Sequence, residues 1–233
     1  MNLATLRAEL EADRAWREEE IRAFQNRGST IEDDEELNRY RRALVLLLYA
    51  HYEGFCKFAL TLYATAVNGS GISCGEANYA IAAASLNEVF RGLRDPQKKC
   101  DLFRRELPDD AKLHRFARER EFVERTEEVD KRPVRIPDEV VDTESNLTPV
   151  VMKKNLYRLG LPHEQFEIHD GDIHKLLNLR NGVSHGELKD GVGETLYMKL
   201  RAAAFSVMSG LGTGIMKALS EKAYSRVQPA APA

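Results

Sequence analysis

Residues 37–67 carry Leu37, Tyr40, Leu44, Leu48, His51, Phe55, Phe58 and Leu62 in one seam at helical spacing, while Leu46, Leu47, Tyr49 and Leu60 cover the other sides. A helix that is apolar nearly all round is surrounded by other elements rather than laid on a surface. This one helix therefore predicts a bundle built around it. The most apolar run, residues 43–67, is interrupted by His51, Glu53 and Lys57. A membrane span would seldom carry those near its centre, so the expectation is a core helix and no membrane partner.

The flanking sequence fits a bundle. Residues 3–25, with Leu3, Leu6, Leu10, Ile21 and Phe24 among many charges, predict an exposed amphipathic helix ended by Asn26-Arg27-Gly28-Ser29. The acidic run Glu32-Asp33-Asp34-Glu35-Glu36 suits the N-terminus of the central helix, and Asn68-Gly69-Ser70-Gly71 closes it. Ser73-x-x-Glu76 reads as a capping box opening a third helix through Ile81, Leu86, Val89 and Phe90 to about Leu93, broken by Asp95-Pro96. Residues 103–130 are of mixed charge with Leu113, Phe116, Phe122 and Val123 at loose helical spacing. Residues 131–149 hold three prolines and predict an extended loop with a short strand around 134–136. Thr148-Pro149 reads as a cap with proline at the first helical position, opening a helix that runs to Gly160. Two more follow, from near Asp172 to Gly186 and from about Glu194 to Tyr224, the last containing Gly210, Gly212 and Gly214 where it bends or packs closely.

No repeat and no strand alternation is long enough for a sheet. The expected class is all-α: a helical bundle of one domain over residues 1–227, with a charged helical and loop insertion at about 97–147 and a disordered tail at 228–233. The 34 Lys+Arg against 37 Asp+Glu leave a formal net charge of −3, so nucleic-acid binding must come from a local patch. Basic residues between 98 and 132 are matched by acids and read as a solvated face. Lys153, Lys154 and Arg158 make the better patch. Cys56, Cys74 and Cys100 lack C-x-x-C spacing and are odd in number, which argues against a disulfide framework. With no apolar stretch near Met1, a cytoplasmic protein is expected.

The chemistry gathers on the helix ending at Gly186. Ile173, Leu176, Leu177, Leu179 and Val183 share a broad apolar face, and Arg180 falls in its middle. A guanidinium cannot shed its charge, so it needs a carboxylate, a phosphate or a wet cleft beside it. His174, Asn178, Asn181 and His185 share the opposite flank, and the trio Arg180, Asn181 and His185 suits work on a phosphodiester. The bland alternative is a structural Arg180 paired with Glu53 and a His185 that merely favours a helix C-terminus. Arg158 and His163 repeat the spacing, but Gly160 and Pro162 break the helix between them. Glu53 either pairs with Lys57 one turn on or orients Arg180. His51, alone in an apolar seam, is expected to be satisfied by a backbone carbonyl or a carboxylate. His163, His169 and His174 lack metal-ligand spacing, so neither metal nor cofactor is expected. No phosphate-binding glycine loop and no serine-hydrolase elbow occurs.

Leu179-Arg180-Asn181-Gly182-Val183-Ser184-His185-Gly186 resembles the Arg-Asn-x-x-x-His signature of the HEPN superfamily, small helical domains common in prokaryotic toxin–antitoxin and phage-defence systems. Leu46-Leu47-Leu48-Tyr49-Ala50-His51-Tyr52-Glu53-Gly54-Phe55-Cys56-Lys57 resembles the long apolar helix of the MAE-type HEPN-like nucleases. Asp142-Thr143-Glu144-Ser145-Asn146-Leu147-Thr148-Pro149 resembles the same group. The three stretches span residues 40–190. The resemblance implies a HEPN-like bundle acting as a metal-independent endoribonuclease homodimer, with RNA as substrate and a cognate antitoxin or defence-system partner. His185 would move the proton of the 2′-hydroxyl or of the leaving 5′-oxygen, Arg180 would stabilise phosphoryl charge, and Asn181 would hold geometry. A site with one motif histidine lacks either the acid or the base of in-line cleavage, and a second protomer supplies it. The alternative is a non-catalytic helical interaction or RNA-binding module on the same fold.

Overall fold

The structure, a computed structural model, describes residues 2–126 and 128–226. The expected tail at 228–233 lies outside them. Asn2 opens α1 (Leu3–Gly28), its side chain accepting from the backbone N–H groups of Ala4 and Thr5. After a tight turn, Asp33 caps α2 (Asp34–Asn68) by accepting from Glu36 N at 2.7 Å. The acidic run thus lies on the positive end of the helix dipole, as its charge requires.

α2 is the axis of the bundle. Val45, Leu48, Phe55, Cys56, Ala59 and Tyr63 are fully buried, and α1, α7 (Asp170–Ser184) and α8 (Glu194–Ser220) pack against it. Both α2 and α8 have the length and apolarity of membrane-crossing helices, yet 56% and 50% of their most apolar windows are buried inside the bundle. Much of that apolarity goes into the core. α8 runs unbroken past its glycines: a Cβ at Gly210 would stand 2.9 Å from the Phe166 ring, and one at Gly214 3.2 Å from Gln165. Close packing accounts for both. α8 ends at Ser220 rather than Tyr224.

The expected third helix is two: α3 (Tyr79–Ser85), capped by Asn78, and α4 (Asn87–Arg94), with the break at Leu86. The Ser73/Glu76 box does form, with Glu76 Oε2 accepting from Ser73 N at 2.8 Å and Oγ at 2.9 Å. It closes a turn rather than opening a helix. Ala77 N still donates to Ser73 O, but Asn78 N, which would carry the ladder on to Cys74 O, donates to Tyr224 O at 2.7 Å. The expected strand at 134–136 reduces to one Ser73–Pro133 bridge and Val134 N donating to Ile72 O, since no partner strand continues. α5 (Ala111–Thr126) lies on α4, with Phe90 and Phe122 rings 5.7 Å apart. α6 (Pro149–Arg158) is capped by Thr148 with Pro149 first, as its sequence predicts. The described residues form an all-α bundle without a sheet. All three cysteines are free.

Candidate active site at the end of α7

Ile173, Leu176 and Leu177 are buried and fix one face of α7 against α2. One turn further, that face meets Tyr49 of α2. Arg180 places its guanidinium carbon 4.7 Å from the centre of the Tyr49 ring. Its Nη1 donates to Asn146 Oδ1 at 2.9 Å and to Asn181 Oδ1 at 2.8 Å. Among the described residues, no carboxylate lies within ion-pair distance of it. A half-buried guanidinium is thus held by an aromatic face and two neutral amides, and keeps its full positive charge.

The alternative pairing of Arg180 with Glu53 does not form, and neither does Glu53 with Lys57 among the described residues. Glu53 acts on Tyr49 instead. Burial, and after it the charge of Glu53, push the Tyr49 phenol up to about 12, against a smaller opposite pull from Arg180. The hydroxyl stays protonated at ordinary pH while its oxygen accepts from Leu147 N at 2.7 Å.

That bond and the Arg180–Asn146 bond tie residues 142–149 into the site. The segment turns through left-handed backbone at Glu144 (φ 51°) and Ser145 (φ 64°), with Asp142 Oδ1 accepting from Glu144 N at 2.8 Å. Asn155 of α6, fully buried, fixes its start: Asp142 N donates to Asn155 Oδ1 at 3.0 Å, and Asn155 Nδ2 donates to the carbonyls of Asp142 and Val151 at 2.7 and 2.9 Å.

His185 is the first residue past α7, its N–H donating to Asn181 O at 2.9 Å and its side chain exposed. Gly186 then takes a positive φ of 72°, which glycine adopts without strain, and turns the chain back. The N–H groups of Glu187 and Leu188 both donate to Gly182 O, at 2.8 and 2.9 Å. Arg42 of α2 grips the carbonyls of Leu188 and Lys189, and Val192 N donates to Asn38 O. The imidazole thus stands on a shoulder pinned from both sides. Arg180, Asn181 and His185 share one helix end, with the cation half-buried and the titratable ring exposed.

The basic patch is divided. Lys153 pairs with Glu167 at 3.0 Å and Asp170 at 2.8 Å, which raise its pKa and tie α6 to the start of α7. Lys154 pairs with Glu144. Arg158, at the far end of α6, has no ion pair among the described residues. His51 meets the carboxylate expected of a core histidine: Nε2 lies 2.6 Å from Glu20 Oε2, although off the hydrogen-bonding direction of the ring. His169 bonds to Ser206 Oγ at 2.8 Å. No group of three metal-ligating side chains occurs among the described residues.

Sequence reasoning missed Tyr49, Asn146 and Asn155 as parts of the site. Asn146 lies in a stretch with a recognisable motif, but only the fold brings it to Arg180. The family model described as MAE_28990-like HEPN matches residues 6–224. No curated protein and no solved structure matches the chain. With the match covering nearly the whole chain and the three motif stretches inside it, the chain belongs to the MAE_28990-like HEPN family.

Proposed function

We propose that this chain is a metal-independent endoribonuclease whose active site is composite, with one α7 end from each of two copies. Nuclease-type and RNA-related modules are common in the family, which supports the class. The observation that carries the reading is Arg180, held by Tyr49, Asn146 and Asn181 with no carboxylate in ion-pair distance among the described residues, about a turn and a half from an exposed His185.

In the proposed reaction an imidazole takes the proton of a ribose 2′-hydroxyl, whose oxygen attacks the adjacent phosphorus. The bond from phosphorus to the 5′-oxygen breaks, and that oxygen receives a proton from the second copy's imidazole. The products are a 2′,3′-cyclic phosphate and a 5′-hydroxyl. Arg180 offers its remaining N–H groups to the phosphoryl oxygens as charge builds there. Asn181 keeps the guanidinium from swinging away. Lys153 and Lys154 sit in surface ion pairs, weak enough to exchange for phosphates. A toxin–antitoxin or phage-defence setting in the cytoplasm, with a cognate antitoxin or defence partner, belongs to the same proposal.

The test is purified protein incubated with total RNA in EDTA, followed by sequencing of the cut ends. Fragments with 5′-hydroxyls that vanish in Arg180→Ala and in His185→Ala, with both variants folded, are expected. RNA left intact by the parent protein would favour the non-catalytic interaction module.

A further inference from the structure

A second surface, away from the α7 end, combines features that the proposed cleavage does not use. Between α3 and the end of α6 lies an open groove of about 470 Å³, lined by Tyr79, Ala80, Ala83, Val140, Tyr157 and Arg158. The two tyrosines are 78% and 67% exposed, although aromatic rings of that size are normally drawn into the core. Tyr79 has the Arg226 guanidinium 4.3 Å from its ring centre, and Tyr157 has His163 edge-on at 5.7 Å. Each ring is thus braced while much of it stays open to solvent.

Two guanidinium groups without an ion pair among the described residues lie at the groove. Arg158 has no ion pair or hydrogen bond among the described residues, and among them the Arg226 guanidinium donates only to the carbonyls of Ala77 and Cys74. Among the nearby acids, Glu139 pairs with Arg91 and Glu144 with Lys154, while Glu76 bonds only to the neutral donors of Ser73 and keeps its negative charge. In a chain of net charge −3 this is a local basic surface with exposed aromatic rings set into it. That combination fits single-stranded nucleic acid, whose bases stack on side-chain rings and whose phosphates pair with arginines. A protein partner would be favoured by the rings but not by two uncompensated cations.

α6 links this groove to the proposed active site. Its N-terminal end follows Asn146, which touches Arg180, and its last residue is Arg158. Nine residue steps at 1.5 Å place the groove about 14 Å along the helix axis from that end. About four nucleotides at a stacked rise of ~3.4 Å cover this distance.

We propose that Tyr79, Tyr157, Arg158 and Arg226 form a platform that binds single-stranded RNA on one side of the scissile linkage. This rests on the RNA reading of the α7 motif, and the two are separated by measuring binding and cleavage apart. In a His185→Ala background, which keeps the RNA whole, a labelled single strand about a dozen nucleotides long is titrated by fluorescence anisotropy. Tyr79→Ala and Tyr157→Ala are expected to weaken binding roughly five- to a hundredfold each. Arg158→Ala is expected to lower the slope of log K against log salt by about 0.7, a change the tyrosine variants do not produce. With His185 intact, the tyrosine variants should cut a dinucleotide as fast as the parent while KM for the longer RNA rises. Unchanged affinity in all three variants overturns the platform and leaves the cleavage proposal standing. So does a shift in oligomeric state without a loss of RNA affinity, which would make the groove a contact between copies. Loss of dinucleotide cleavage in the tyrosine variants also overturns it, by placing them in the reaction itself.

Discussion

The Arg180 guanidinium lies 4.7 Å from the centre of the Tyr49 ring, and the Tyr49 hydroxyl accepts from Leu147 N, the residue after the asparagine that Arg180 itself contacts. One cation, one ring and one loop therefore position each other. The arrangement uses properties particular to arginine, namely a flat charged group that lies on a π face while its N–H fork points elsewhere.

Arg180→Lys tests that geometry. An ammonium keeps the charge but cannot lie flat on Tyr49 or reach two amide oxygens in one plane. RNA cleavage is expected to fall by roughly a hundredfold or more in single-turnover assays, close to the loss in Arg180→Ala. A lysine that restores most of the rate would show that a point charge suffices.

Asn146 separates position from charge. Asn146→Ala removes one acceptor and lets the guanidinium swing, so a moderate fall in kcat is expected with little change in KM. Asn146→Asp keeps the shape and the acceptor but sets a carboxylate on Arg180, neutralising the cation meant for phosphate. The near-isosteric variant should therefore be the worse enzyme. An active Asn146→Asp protein would contradict the neutral-amide account.

Asn155 holds the loop from the core side, with both of its polar ends bonded to backbone and no exposure. Asn155→Ala leaves the part-buried N–H and carbonyl of Asp142 without their partner, a loss of about 1–3 kcal/mol in denaturant unfolding. Hydrogen exchange should speed up at Asp142 more than within α2. A stability change below about 0.5 kcal/mol would mean the loop stands without it.

His51 gives the fold an acid-sensitive point. Burial lowers its pKa, against the pull of Glu20 and Asp13 and with a smaller push from Arg17. The unfolded chain takes up that proton near pH 6.5, the folded chain only below it. Across that window the unfolded state binds more protons, so stability falls as pH falls. Thermal melts from pH 7.5 downward should show Tm dropping more steeply below about 6.5 in the parent than in His51→Gln. Parallel curves would remove His51 from the acid response.

Periodicity alone was enough for α1, α2, α6, α7 and α8, because each presents a stripe or full coat of apolar residues that only a helix can bury. It failed at Ser73-Cys74-Gly75-Glu76, where local capping bonds form but the next helical donor, Asn78 N, goes to Tyr224 O. Nothing in a window of ten residues announces that competition. The same limit applies at the site. Arg180, Asn181 and His185 stand within six residues and can be read off a helical projection. Tyr49 and Asn146 reach Arg180 across the fold, and their roles depend on packing that no local pattern encodes.

Tyr49 and Leu147 stand 98 positions apart, and Asn146 and Arg180 a further 34. A growing polypeptide on the ribosome consequently cannot close the Arg180 cluster until residue 180 has emerged and docked on Tyr49 and Asn146. Under the proposed cleavage, a nascent chain that stops short of residue 180 lacks the cation that would act on RNA.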